Sequence, residues 1–111
     1  MNTYPDDADG DALARIKSEG SDMSRPMFID FFVAVPSFEM GEAVANAVKA
    51  LGFVPSVECD DETGEWTCYA TKSMVPTYEA IVEAQAQLAD VSDPFQGYPD
   101  GWGSYGNKPP T

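Results

Sequence analysis

The sequence predicts one α+β domain: an antiparallel sheet with two helices on one face and a further helix at the N-terminus. Three observations carry this reading. The run Met27 to Val35 is rich in aromatic and β-branched residues, as strands are. Two later stretches repeat apolar residues at helical spacing, and between them an acidic turn joins two short alternating runs.

Taken in order, Asp7 to Glu19 reads as a short amphipathic helix. Ala12, Leu13 and Ile16 share one side, acids fill the first turn and Gly20 stops it. Ser24-Arg25-Pro26 breaks the chain before the strand Met27 to Val35. Side chains alternate along a strand, so Met27, Ile29, Phe31, Val33 and Val35 face the core, opposite Phe28, Asp30, Phe32 and Ala34. Ser37 suits an N-cap, after which Met40, Val44, Ala47, Val48 and Leu51 recur at helical spacing up to Gly52. Phe53 to Cys59 and Glu65 to Thr71 form a hairpin around Asp60-Asp61-Glu62-Thr63-Gly64. A two- or four-residue loop gives the same faces: Val57, Cys59, Trp66, Cys68 and Ala70 on one, Glu58, Glu65, Thr67 and Tyr69 on the other. Pro76 fits the first turn of a last helix whose stripe is Tyr78, Ile81, Val82, Gln85 and Leu88, ending near Val91. Beyond Asp93-Pro94, Pro99 to Gly106 reads as a short edge strand or a packed loop. The order strand, helix, strand, strand, helix, with this optional last strand, is the split β-α-β arrangement of a ferredoxin-like sandwich.

The 111 residues suffice for one domain, 1–111, with about 7–106 ordered and flexible ends. Such a chain buries roughly two-thirds of its unfolded surface. A content of 43% hydrophobic and 12% aromatic residues is too high for a disordered chain. Six basic against nineteen acidic residues give a net charge of -13. Phosphate backbones and anionic lipid are repelled, which argues against nucleic-acid or membrane partners and favours a basic protein surface. Met1 to Asp11 lacks the basic start and apolar stretch of a signal peptide, and no apolar run approaches the roughly 20 residues that span a bilayer. The expected compartment is the cytoplasm, where Cys59 and Cys68 stay reduced.

Catalytic chemistry is scarce. Histidine is absent, which removes Ser-His and Cys-His nucleophile pairs and the usual imidazole zinc ligand. Asp30 among aromatics is a weak candidate for a raised pKa, and a solvated or hydrogen-bonded aspartate is the commoner case. Gly101-Trp102-Gly103-Ser104-Tyr105-Gly106 matches a dinucleotide fingerprint only literally, with no helix to open behind it. The calcium-like Asp7-Ala8-Asp9-Gly10-Asp11 would put Pro5 and Ile16 at ligand positions. No cofactor or metal is therefore expected. Cys59 and Cys68 read as inert thiols on the inward face beside Trp66.

Two candidate partner-binding features remain. Glu58, Asp60, Asp61, Glu62 and Glu65 form the densest charge cluster, suited to an arginine-rich segment although acidic loops are usually just solvated. Phe28, Phe32 and Tyr69, flanking Asp30 and Thr67, form an aromatic patch of the kind that centres an interface. A lone domain rarely leaves so much apolar area bare, which favours a cover over this face from Leu13 and Ile16 of the first helix or from Trp102 and Tyr105.

Ser24-Arg25-Pro26-Met27 through Val35-Pro36, Trp66 to Lys72 continuing into Met74-Val75-Pro76-Thr77-Tyr78-Glu79-Ala80-Ile81, and Gly97-Tyr98-Pro99-Asp100-Gly101-Trp102-Gly103 together resemble the RraB family, from about Asp11 to Gly106. The KSMVPTYEAI and DGWG segments are the specific ones. The resemblance implies an α/β sandwich that is no enzyme but a protein inhibitor, binding ribonuclease E outside its catalytic centre, on its arginine-rich scaffold region. The alternatives are a small enzyme or a different protein-binding module on the same fold.

Overall fold

The computed structural model describes residues 4–107; the terminal stretches expected to be flexible fall partly at 1–3 and 108–111, outside the described residues. The elements follow as α1 (Ala8–Ser18), β1 (Met27–Val35), α2 (Phe38–Ala50), β2 (Val54–Cys59), β3 (Trp66–Met74), α3 (Tyr78–Ser92), a 3-10 turn Asp93–Phe95, and β4 (Tyr98–Gly103).

Local chemistry sets the helix starts. Asp7, Ser37 and Thr77 are the N-caps of α1, α2 and α3, and each side chain accepts from a backbone N–H three residues on. Pro76 therefore lies one residue before the N-cap of α3 rather than in its first turn, and it is buried there. The buried stripe of α3 is Ile81, Ala84, Leu88 and Ser92, while Val82 turns out to be 39% exposed.

The four strands form one antiparallel sheet in the order β2-β3-β1-β4. The tail that reads as strand or loop is thus an edge strand beside β1. Between the pairs Phe31↔Trp102 and Val33↔Pro99 the register slips, because β4 holds one residue more than β1 over that interval. Gly101 supplies the bulge with φ 119, a conformation a side chain resists. Both edge strands contain a proline, Pro55 in β2 and Pro99 in β4.

The inward positions Met27, Ile29, Phe31, Val33 and Val35 are all buried and join one core with Val44 and Val48 of α2 and with Ile81 and Leu88 of α3. Leu13 and Ile16 of α1 enter this same core. Two aspartates clip α1 in place. Asp9 accepts from Trp102 Nε1 at 2.9 Å and from Gln85 Nε2 at 3.1 Å, while Asp7 accepts from the Tyr78 hydroxyl at 2.6 Å. The C-terminal segment clasps the α1–β1 loop. Asn107 Nδ2 donates to the carbonyls of Asp22, Arg25 and Pro26, and Ser104 Oγ donates to that of Phe28.

Candidate binding surface

Alternation fixes what the second face of the sheet presents. Strand register sets it in four rows: Phe28 with Ser73; Asp30 with Thr71 and Val54; Phe32 with Tyr69 and Ser56; and Ala34 with Thr67, Glu58 and Tyr98. The expected cover is not there. Leu13, Ile16 and Trp102 belong to the core side, and Tyr105 is fully exposed, so the described residues give this face no second layer. Phe28 is 69%, Val54 70% and Tyr98 59% exposed. Phe32 gains lateral shelter instead. Its ring meets Tyr69 edge-on with centroids 5.5 Å apart, and it lies where any side chain on Gly101 or Gly103 would touch it. Asp30 between the aromatics accepts a hydrogen bond from the Thr71 hydroxyl, so its carboxylate is satisfied within the sheet.

The acidic hairpin closes with a four-residue loop. The Asp60 N–H donates to Glu65 O at 2.9 Å, and Asp60 Oδ1 accepts from the N–H groups of Glu62 and Thr63. Gly64 completes the turn at φ 75. Glu58, Asp60, Asp61, Glu62 and Glu65 are all exposed. The hairpin adjoins the Ala34 row, whereas Phe28 lies six residues back along β1, about 20 Å away at 3.3 Å per residue. The candidate residues therefore form a long strip rather than a compact site.

Where the strip meets the hairpin the surface is hollow. A cleft of about 400 Å³ opens between the end of β1, the start of β3 and the start of β4. Ala34 lies between Thr67 and Tyr98 in register, so the smallest side chain of the row stands between two larger ones. Tyr98, Glu65 and Asp100 are among the residues that line it, while the Trp66 ring, on the core parity, meets Phe38 of α2 with centroids 5.5 Å apart. Neither carboxylate has a hydrogen-bond or ion-pair partner among the described residues.

Of the two thiols expected to be buried, Cys68 is and Cys59 is not. Cys68 is buried, and burial together with the nearby Glu42 pushes its thiol up to about 11. Cys59 is exposed although it shares the inward parity, because it stands at the end of edge strand β2. Among the described residues no cluster of three or more cysteines, aspartates or glutamates could hold a metal ion. Val54, Tyr98 and Asp100 are surface residues that the sequence reading passed over. Alternation back from Glu58 through Ser56 points to Val54, whereas Tyr98 and Asp100 depend on the β1–β4 pairing.

A family model described as RraB, Regulator of ribonuclease activity B, matches residues 6–104, a span that takes in every helix and strand of the described residues. No curated protein matches the chain.

Proposed function

The chain belongs to the RraB family, and from that membership we propose that it is an acidic regulatory protein that inhibits ribonuclease E by stoichiometric contact and so modulates mRNA decay. The family match over nearly the whole chain carries the reading. Charge supports it, since -13 on a small domain steers it toward basic protein segments and away from RNA itself. The scaffold region of the nuclease is the proposed partner, and the cytoplasm the proposed compartment. No helix among the described residues is long and apolar enough to cross a membrane, which is compatible with that setting.

The candidate contact strip runs from Phe28, Asp30, Phe32 and Tyr69 to the hairpin acids Glu58, Asp60, Asp61, Glu62 and Glu65. Exposed aromatics would supply desolvated anchors, and the acids a steering rim. We read the element order and the sheet order β2-β3-β1-β4 as a ferredoxin-like sandwich, with α2 and α3 on the face opposite this strip.

A titration with purified full-length ribonuclease E and a structured RNA tests the proposal. Inhibition is expected to saturate at a fixed molar ratio and to weaken as salt rises, through slower association. Absence of any complex at low salt, with both proteins folded, would falsify it, as would RNA turnover by this protein alone.

A further inference from the structure

One face of the sheet packs into the core with residues of α1, α2 and α3, while the other has no layer over it among the described residues, although Phe28, Phe32, Val54, Tyr69 and Tyr98 stand there. We infer that this face receives one amphipathic helix of a basic protein partner as a third layer, with the helix N-terminus toward the acidic hairpin. The inference rests on the reading of a protein partner and says what that partner brings. Size selects the element. The outward rows run about 20 Å along the strands, and four strands at about 4.8 Å spacing cover about 19 Å across them. A helix of about 13 residues has that length, and its diameter of about 10–12 Å leaves no place for a second. A helix also satisfies its own backbone, and this face has no backbone hydrogen bonds to offer, since the strands use theirs on one another. Charge selects the composition. The four rows hold two carboxylates, Asp30 and Glu58, and no lysine or arginine. A second copy of this chain would set like charge against like. Aromatics on the central strands of a four-stranded sheet also stack bases in RNA-binding domains, but here phosphate would find carboxylates and no cation. Charge also sets the direction. Asp60, Asp61, Glu62 and Glu65 are exposed past the Ala34 row, whereas exposed Arg25 stands three residues before Phe28. Lysines and arginines of the helix therefore lie over Tyr98 and the hairpin end, apolar residues over Phe28 and Phe32, and the positive end of the helix dipole meets the acids.

The test uses the full chain, nitrogen-15 labelled, titrated with overlapping peptides that tile ribonuclease E of the host, and with a uridine oligonucleotide. A basic peptide is expected to shift the amides of Phe28, Phe32, Val54, Tyr69 and Tyr98 to saturation and to gain helical circular dichroism as it binds. Proline at the middle of that peptide should weaken binding by about a hundredfold, the cost of proline inside a helix. A nitroxide on the peptide N-terminus should broaden Thr67 and Tyr98, and one on its C-terminus Phe28 and Ser73. Phe28→Ala and Tyr98→Ala are each expected to weaken binding by about thirtyfold, as at a hot spot. Both side chains are mostly exposed, so the melting temperature should hold and report an intact fold. Shifts confined to the hairpin, a bound peptide that gains no helix, or the reverse nitroxide pattern overturn the inference. Saturating shifts of the aromatic rows by the oligonucleotide overturn it in favour of RNA. If full-length ribonuclease E forms a complex while no peptide reaches this face, the helix is discarded and the regulatory reading survives. If full-length ribonuclease E forms none at low salt, the regulatory reading is discarded and the inference goes with it.

Discussion

Three phenylalanines on one strand offer a graded test of the two-faced sheet. Phe31 is 1% exposed and also meets Phe53 edge-on at 5.9 Å, so Phe31→Ala leaves a closed cavity and should cost about 3–5 kcal/mol. Phe32→Ala opens to water, which fills the gap, so no cavity penalty arises. What remains is part of the roughly 1.5–3 kcal/mol for burying a phenylalanine and the roughly 0.5–1.5 kcal/mol of its pair with Tyr69. Together they come to about 2 kcal/mol. Phe28, 69% exposed, should change stability by no more than about 0.5 kcal/mol on truncation. With a urea slope of roughly 1.5 kcal/mol/M, the midpoints fall by about 2–3 M, about 1.3 M and less than about 0.3 M in that order. Equilibrium urea unfolding followed by circular dichroism reads all three. Equal losses for Phe31→Ala and Phe32→Ala would mean that a second layer covers the aromatic strip, and the interface argument would fall with it. If the strip is an interface centre, Phe28→Ala and Phe32→Ala weaken the ribonuclease E complex, by more than about 2 kcal/mol at a hot spot.

Thiol labelling without denaturant is expected to modify Cys59 quickly and Cys68 only after unfolding, because the Cys68 thiol is buried and raised to about 11; equal rates refute this. Asp9→Ala strands the donors of Trp102 and Gln85 and should cost roughly 1–3 kcal/mol in chemical denaturation; an unchanged midpoint would show that α1 is not clipped through this residue. The Tyr78 hydrogen bond holds the Asp7 carboxyl below its usual 3.8, and the same bond to Asp7 raises the Tyr78 hydroxyl above 10.0. Asp7 thus contributes stability that is present above pH 3.8 and lost as pH falls through its lower folded value. The Tyr78 contribution is present below pH 10.0 and lost as pH rises through its higher folded value. Tyr78→Phe should therefore lower the melting temperature at pH 7 and converge with wild type in strong acid; a gap that persists there contradicts the assignment.

Sequence patterning revealed what depends on neighbours along the chain. Met27–Val35 is a strand of the predicted length, Ser37 caps the helix it was read to cap, and the hairpin faces follow the predicted parity. Strand alternation also separated Phe31 from Phe32 correctly. What escaped depends on partners distant in sequence. Asp9 meets Trp102 across 93 positions and Asn107 meets Asp22 across 85, and neither pair has a periodic signature. Cys59 departs from its expected burial because parity says which face a residue is on, not how open the end of an edge strand is. The expected cover over the aromatic strip failed similarly: the apolar stripe of α1 and the Trp102 ring are absorbed by the first core, leaving none for a second. Of the exposed face, the β1 and β3 residues were legible from alternation, but Tyr98, Asp100 and the cleft were not, since they require β4 beside β1.

The prolines in the two edge strands bear on how the molecule behaves in a crowd. Each lacks the N–H that an incoming strand would need, and Asp100 beside the β4 bulge adds charge and curvature on that side. Copies of the chain therefore find no straight ladder along which to stack into ribbons, and their shared negative charge keeps them dispersed. The same two prolines disfavour an extended ligand adding itself as a further strand. A cell could therefore hold this protein at high concentration without its sheet edges seeding fibrils.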